Sequence, residues 1–384
     1  MQTFNCEYIE KKKNIAEILF FAGLTIELLV MVVGHSPIEI PFRGRLLQAA
    51  FVLFGCKVLL TKYSYKEWIT IILLGIVGVI SYFTVSDEWV IRIVMFVVAS
   101  KNIELVKVTK YIFWVSLTGM LLIMLGALLG IGNPLTDIRH YGRGEEEVRW
   151  CFGFNHANNV HGTMWYVVAL GLYSYLEKTK WYHYVLFTIA NLVMYMLTVS
   201  RGGVIVVQIV IIAAFCCRYW KWITKQKWVY VLGGIIAVFC AGIGVYAVAH
   251  GVYGTPWLEK LSSLLTGRIE MLTWYEKVEY WTMWGSVRDR EPTDVGFITI
   301  LADYGYAIFG LYVLVILIMI VSYCKKEKFL EFAILVSCVF YTFMESTYTI
   351  NVTLLTNLTF VLLLGNWNSL FDNSEKRIGN NESI

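Results

Sequence analysis

The chain has 384 residues, of which 58% are hydrophobic and only 16% are charged, and its mean hydropathy is +0.63. Soluble globular domains average about 25% charged residues, so this composition excludes a soluble globule and predicts an all-α polytopic membrane protein. The formal net charge of +4 is small, and we expect no nucleic-acid partner.

Twelve apolar runs approach the length of about 20 residues that a helix needs to cross the hydrocarbon core. The fourth and the eighth are short, and the fourth also carries Arg92, so we expect these two to tilt, to thin the bilayer or to be re-entrant. The runs lie at about 15–33, 46–60, 68–85, 89–100, 111–131, 159–176, 181–198, 204–217, 228–249, 297–323, 329–348 and 351–365.

The basic residues of the connecting segments indicate the orientation of these runs. With the N-terminus in the cytoplasm, the inside segments hold 19 basic residues, of which only 2 are arginine. The outside segments hold 11, of which 9 are arginine. We therefore expect one membrane domain over residues 1–384 with both termini inside. Its two longer outside segments are 132–158 and the large loop 251–295.

The arginines outside need a reason besides topology, since lysine supplies positive charge equally well. Arginine has a planar fork that binds phosphate or carboxylate through two parallel hydrogen bonds and stays charged in a poorly hydrated site. The bias therefore favours an anion that is handled on the outer face. For any single arginine, the alternative is an ion pair with an acidic residue of these loops or contact with lipid headgroups.

Four stretches on this face combine charged side chains with glycine or histidine at the ends of apolar runs. The first runs from Arg149 to His161, with Arg139 and Arg143 just upstream. The others are Ser200–Gly203, Gly267-Arg268 and the stretch around Asp294, and Glu345 lies near the outer end of a later run. Charged side chains at the edge of apolar segments cost free energy unless they take part in binding or catalysis.

Each stretch also has a structural interpretation. Gly202 and Gly203 could free backbone N–H groups for an anion, or they could form a tight helical hairpin beside a snorkelling arginine. Asp294 could be a base, or a residue that caps the start of a helix. His161 could simply be a packing histidine. The aromatic rings of 251–295 could form an interfacial belt or stack on sugars. Part of that loop, with Leu258 and Leu272 at helical spacing, is predicted to be a helix on the membrane surface.

Three motifs resemble those of the Wzy-type polysaccharide polymerase and O-antigen ligase superfamily, and they occur in the family's order. The first opens a span, the second is Ser-Arg-Gly-Gly, and the third places Gly-Arg before a large external loop that is followed by an acidic residue and Tyr-Gly. In this chain the motifs are Gly153-Phe154-Asn155-His156-Ala157-Asn158, Ser200–Gly203, and Gly267-Arg268 with Asp294 and Tyr304-Gly305. Ligases of this superfamily have histidine where Asp294 stands, which favours the polymerase branch.

The resemblance implies an all-helical glycosyltransferase of the bacterial cytoplasmic membrane with an extracytoplasmic active site. Such an enzyme transfers a glycan from a polyprenyl diphosphate to a sugar hydroxyl, with no cofactor and no metal. The polyprenyl-diphosphate-linked oligosaccharide and membrane lipids are its expected partners, and a chain-length regulator is a further candidate. An arginine followed at the eleventh position by glycine, described for some polymerases, is not found at Arg139, Arg143, Arg149 or Arg268.

The chemistry of the reaction assigns roles to these residues. Arginines stabilise the charge that develops on a departing diphosphate, and a carboxylate can accept the proton of the attacking hydroxyl. We expect Arg149, Arg201 and Arg268 to bind the diphosphate, with help from Arg139 and Arg143. The catalytic candidates, in order, are Asp294 as the base, then His156, which could equally orient the site through hydrogen bonds, then Glu345.

Two other classes of function remain open, besides transfer to another acceptor by an O-antigen-ligase type of enzyme. A flippase or transporter of lipid-linked oligosaccharides is expected to carry charges along a central cavity and often has two related halves. This chain has few intramembrane charges and unlike halves. A membrane acyltransferase is expected to place a catalytic histidine towards the cytoplasm, whereas the loop histidines here fall mostly outside.

Overall fold

The computed structural model describes residues 2–140, 146–265, 267–287, 293–346 and 357–371, and it is almost entirely helical in these ranges. Fifteen α-helices and one β-hairpin are found there. The helices are α1 Gln2–Gly34, α2 Arg43–Leu59, α3 Tyr65–Val85, α4 Trp89–Ala99, α5 Leu105–Leu128, α6 Ala157–Tyr175, α7 Trp181–Thr198, α8 Arg201–Tyr219, α9 Lys221–Thr224, α10 Lys227–His250, α11 Pro256–Leu264, α12 Arg268–Tyr275, α13 Gly296–Lys326, α14 Phe329–Met344 and α15 Leu358–Phe371.

Twelve of these helices overlap the twelve predicted apolar runs; the short α9, α11 and α12 are the others. Six are long and apolar enough to cross a membrane, and that all twelve cross it stays a prediction. Large apolar side chains such as Leu59, Phe83 and Met196 lie exposed on the outside of the bundle, as expected for a surface that faces lipid. The six are Glu10–Gly34, Tyr65–Val85, Leu105–Leu128, Arg201–Tyr219, Lys227–His250 and Gly296–Lys326.

Helix α8 lies at the centre of one half of the bundle, where it packs against α6, α7 and α14. Helix α13 packs against α10 and α14, and α5 packs against α6. Because neighbouring helices alternate in direction, α6, α8 and α13 begin at the end where α7, α10 and α14 finish. We call this the hairpin end, after the strands described next, and it is the end predicted to face outward.

The hairpin lies in segment 132–158, for which no strand was predicted. Strand β1, Thr136–His140, pairs antiparallel with β2, Glu146–Trp150. The register places Asp137 opposite Arg149 across the ladder. Opposite charges that face each other across an antiparallel pair stabilise a hairpin, which favours strands in this charged segment.

The large segment 251–295 contains two short helices, α11 and α12, in place of the single surface helix that was predicted. Leu258 and Leu272 are fully buried, because α12 packs on α10. The leucine spacing therefore predicted a buried face correctly, but that face packs against other parts of the protein. Gly267 interrupts the helical pattern with φ of 80° and precedes Arg268 at the start of α12.

The same segment is tied back to α13 at a kink. Gly305 has φ of 79° and ψ of 178° inside this helix, and the N–H groups of Tyr306 and Ala307 donate to the carbonyl oxygens of Thr282 (3.0 Å) and Met283 (2.9 Å). A Cβ on Gly305 would overlap the backbone nitrogen of Gly285. The glycine of the Tyr-Gly motif is thus required because two backbones meet there.

Candidate active site at the hairpin end

The motif Gly153–Asn158 joins three helices at the hairpin end. Gly153 has φ of 85°, and a Cβ there would lie 2.7 Å from Ala127 Cβ in α5. The side-chain amide of Asn155 donates to the carbonyl oxygens of Gly34 (3.1 Å) and Ser36 (3.0 Å), just after α1. The motif therefore fixes the start of α6 against the ends of α1 and α5.

His156 caps the start of α6. Its Nδ1 accepts a hydrogen bond from the backbone N–H of Asn158 at 3.1 Å, so this lone pair is used within the protein. The arrangement favours a positioning role over the predicted role as second candidate for the base. It also holds Asn158 in the first turn of α6, where the side-chain amide donates to Oε1 of Glu345 at 2.8 Å.

Glu345 lies at the centre of the site. It is the C-cap of α14, is 7% exposed, and accepts a second hydrogen bond at Oε1 from Arg268 Nη2 at 2.8 Å. Asp294 Oδ2 lies 3.5 Å from Nε of the same arginine. One guanidinium is therefore shared by two carboxylates. We call Arg268, Asp294, Glu345 and Asn158 the Arg268 cluster.

The electrostatics of the cluster follow from burial and from this sharing. Burial raises the pKa of Glu345, and the charges of Arg268 and Arg149 oppose the rise without cancelling it. Burial lowers the pKa of Arg268, but Glu345 and Asp294 together raise it overall, so the arginine stays charged. The cluster thus holds a fixed cation beside a carboxylate that is easier to protonate than usual.

Arg149 lies near the cluster but is already paired. Its Nε and Nη2 both donate to Oε2 of Glu147, at 3.1 and 2.6 Å, and its residue is only 6% exposed. The ion-pair alternative raised for the external arginines therefore applies here. Arg149 still contributes positive charge to the site, because it lowers the pKa of Glu345.

Arg201 begins α8 and is exposed. A Cβ on the next residue, Gly202, would lie 3.3 Å from Cβ of Met344, the residue before Glu345, so Arg201 lies beside the cluster. In the described ranges, nothing pairs with its guanidinium through a hydrogen bond or an ion pair. Of the three arginines predicted to bind diphosphate, Arg201 has the most freedom to do so.

The two glycines after Arg201 are explained by packing. A Cβ on Gly203 would lie 2.6 Å from Cγ of His161, which is fully buried. The ring of His161 is hydrogen-bonded through Nδ1 to Thr198 Oγ1 (3.2 Å) and through Nε2 to Asn191 Oδ1 (2.8 Å). His161 is thus the packing histidine of the structural interpretation, and anion binding by the glycine N–H groups stays a prediction.

Most of the predicted site residues therefore meet at one end of the bundle. Asp294 does not cap α13, since the N-cap is Val295. Arg139 lies in β1 with only its backbone described, and Arg143 lies outside the described residues. In the chain as far as it is described, no group of three or more His, Cys, Asp or Glu side chains could hold a metal ion.

Sequence reasoning missed two participants, Asn158 and Tyr341. Asn158 is the last residue of the first motif, but no role was predicted for its side-chain amide. The hydroxyl of Tyr341, one turn before Glu345, donates to the carbonyl oxygen of Asn158 at 3.5 Å. No pattern in the sequence marks this tyrosine, because it is one of many aromatic residues in apolar runs.

Comparisons with known proteins add no relative. No family model matches the sequence, and neither a curated protein nor a solved structure is significantly similar to it. Function must therefore be argued from the site itself.

Proposed function

We propose that this protein polymerises polyprenyl-diphosphate-linked oligosaccharide repeat units on the outer face of the bacterial cytoplasmic membrane, for a capsule, exopolysaccharide or O-antigen. The observation that carries the proposal is the Arg268 cluster, a cation shared by two carboxylates, with the exposed Arg201 beside it. Cations and a base are what glycosyl transfer from a lipid diphosphate requires.

The proposed step is one displacement. The acceptor sugar hydroxyl forms a bond to the anomeric carbon of the donor, and the bond from that carbon to the diphosphate oxygen breaks. The polyprenyl diphosphate leaves with the electron pair, and the hydroxyl proton passes to a carboxylate of the site. The protein needs only to stabilise the departing anion and to accept one proton.

The arginines differ in what they offer to the diphosphate. Arg201 has an exposed guanidinium that pairs with no residue in the described ranges. Arg268 keeps Nη1 buried and without a hydrogen-bond partner in the described part of the chain, while its other nitrogens hold the carboxylates. The guanidinium of Arg149 is paired with Glu147, so Arg149 contributes only its positive charge. We therefore assign direct contact with the diphosphate to Arg201 and Arg268.

We propose a different order of the candidates for the base, which exposure and pKa support. The side chain of Asp294 is 53% exposed, whereas that of Glu345 is 9% exposed and its pKa is raised by burial. A base with a raised pKa takes up a proton more readily near the working pH. Both hydrogen bonds to Glu345 from described residues end at Oε1, which leaves Oε2 for the acceptor hydroxyl. We therefore place Glu345 before Asp294.

An apolar groove of about 630 Å³ runs between α1 and α5, and we propose that it holds the prenyl chain. Along α5 its lining extends from Trp114 to Gly126, which at 1.5 Å per residue is roughly 18 Å of helix. The groove ends at Gly132 and Gly153, five residues before Asn158. A lipid tail in this groove would bring its diphosphate to the hairpin end.

Replacing Arg201 by lysine tests the proposal, since lysine keeps the charge and loses the planar fork. We expect R201K to lose long polymer and to accumulate single lipid-linked repeats, at an unchanged protein level. Arg218 is the matched control, because it ends the same helix and pairs with Glu177 at the opposite end of the bundle. R218K should polymerise normally, and normal polymer with R201K would remove Arg201 from the site.

The location of the accumulated lipid distinguishes the alternatives. Single repeats that a membrane-impermeant reagent reaches in intact cells support a polymerase. Repeats that stay protected would identify a flippase. Full-length polymer that remains on its lipid carrier would identify a ligase-type enzyme.

A further inference from the structure

A second polar site lies at the opposite end of the bundle from the Arg268 cluster. It is a pocket of about 260 Å³ among α1, the end of α2 and the segment that follows α4. Five lysines and one carboxylate line it, together with the apolar side chains of Ala16, Leu60 and Ile103. The lining includes Lys12, Lys13, Lys57, Lys62, Lys101 and Glu17.

The burial of Lys57 distinguishes this pocket from a group of lysines that only set the orientation of the helices in the membrane. A lysine that only fixes orientation can keep its ammonium in water, but Lys57 is 1% exposed. Its Nζ donates to the carbonyl oxygen of Lys101 at 2.5 Å, which uses one of its three N–H groups. Burial of an ammonium is costly unless its charge and hydrogen bonds are satisfied.

The carboxylates nearby do not balance the lysines. Glu17 pairs with Lys107 at 3.2 Å, and Lys101 pairs with Glu67 at 2.6 Å. Lys12, Lys13 and Lys62 have no ion-pair partner among the described residues. The pocket therefore has an excess of positive charge with unused donors, beside the apolar walls of Ala16, Leu60 and Ile103.

We propose that this pocket binds a phosphate group, carried by an anionic phospholipid or free in solution. Phosphate oxygens accept hydrogen bonds from several ammonium groups at once, and basic pockets between membrane helices are suited to lipid headgroups. The apolar walls would contact the glycerol and the first carbons of the acyl chains. The proposal is independent of glycosyl transfer, since no residue of the Arg268 cluster takes part.

The test compares two triple variants that remove the same charge from the same end of the bundle. One carries Lys12→Gln, Lys13→Gln and Lys62→Gln, and its control carries Lys221→Gln, Lys225→Gln and Lys227→Gln, which are exposed and outside the pocket. Retention of phosphatidylglycerol and of phosphatidylcholine on the purified protein is measured by native mass spectrometry. We expect the pocket variant to lose phosphatidylglycerol about tenfold and the control about twofold or less.

Lys57→Met is a second variant that replaces the buried ammonium by an apolar group of similar length, and it should lower phosphatidylglycerol retention on a protein that still elutes as a single species. Equal losses in the two triple variants, or equal retention of the two lipids by the unaltered protein, would exclude the lipid headgroup, and the proposal is overturned if inorganic phosphate then also fails to bind. If inorganic phosphate displaces the lipid, free phosphate is a ligand of the pocket. If phosphate does not displace the bound lipid, the pocket recognises the lipid headgroup.

Discussion

Two arginines of this protein pair with carboxylates in very different surroundings. Arg92 in α4 meets Glu27 in α1 at 2.5 Å, and their side chains are 7% and 1% exposed. Arg268 meets two carboxylates, and the exposure of its partners ranges from 9% for Glu345 to 53% for Asp294. The first grouping is a buried ion pair inside the bundle, whereas the second joins one arginine to two carboxylates at its edge.

The difference separates a structural contact from a site. A buried pair with equal and opposite charges is neutral, and it holds two helices together as long as both partners are present. A shared arginine at the edge leaves one carboxylate in excess, and the exposed side chain of Asp294 gives ligands access to the group. Charge imbalance with access is what binding and proton transfer require. The four predictions below test this division, beginning with the largest expected effect.

Replacing Arg92 by methionine should prevent stable folding, because Glu27 would stay buried without its cation. Breaking such a pair costs about 3–5 kcal/mol. Thermal unfolding followed by fluorescence-detected size exclusion measures the effect. The double variant E27L/R92M replaces the pair by apolar groups and should recover most of the loss. If R92M is as stable as the unaltered protein, the pair is not the structural contact described here.

Replacing Glu345 by glutamine should leave the fold intact and lower the rate of chain growth by about 10²–10⁴-fold, the usual contribution of general base catalysis. D294N should lower the rate less, because Asp294 is exposed and lies 3.5 Å from Arg268. Polymer length and single lipid-linked repeats are measured at matched protein levels. A larger loss in D294N than in E345Q would restore the order that the sequence suggested.

The pH dependence of the rate gives a third test. A base works only as the carboxylate, so the rate should fall as the pH falls through the pKa of Glu345. Burial raises that pKa above the usual 4.5, so this acid limb should lie at a higher pH than for an exposed glutamate. The profile is measured in membrane vesicles. An unchanged profile in E345Q, or an acid limb at 4.5 or below, would contradict the assignment.

Several features could be predicted because they depend on local pattern. The hydrophobic runs predicted the helices. The arginine bias and the three motifs indicated residues that the fold brings together at one end of the bundle. The glycines of the motifs have separate physical reasons, a positive φ at Gly267 and close packing at Gly203. In each case the constraint acts on a single residue, so the residue type itself indicates it.

Other features depend on partners far apart in the chain and could not be predicted. Glu345 is central because α14 ends beside α6 and α8, which brings Asn158 from 187 residues away. The sequence ranked Glu345 third because burial, which raises its pKa, is a property of the packed bundle. The hairpin was missed because its strands are short and charged and pair with each other across a turn, which neither helical nor strand periodicity reveals.

The smallest predicted effect concerns the packing that positions Arg201. Gly203→Ala would place a Cβ 2.6 Å from the ring of buried His161, so α8 must shift, and we expect a loss of about 1–3 kcal/mol in stability. Gly202→Ala meets Met344 at 3.3 Å, where a small adjustment suffices, and should lose less than about 1 kcal/mol. The two melting curves measure this difference.

Activity measured on the folded fraction of each glycine variant then connects packing with the site. If Arg201 acts beside Glu345, the shift of α8 in G203A should lower the rate beyond its loss of folded protein, while G202A should keep its rate. Equal rates per folded molecule would show that the position of Arg201 does not matter to the reaction. The proposed diphosphate contact would then rest on Arg268 alone, whose position is fixed by α12 and by its two carboxylates.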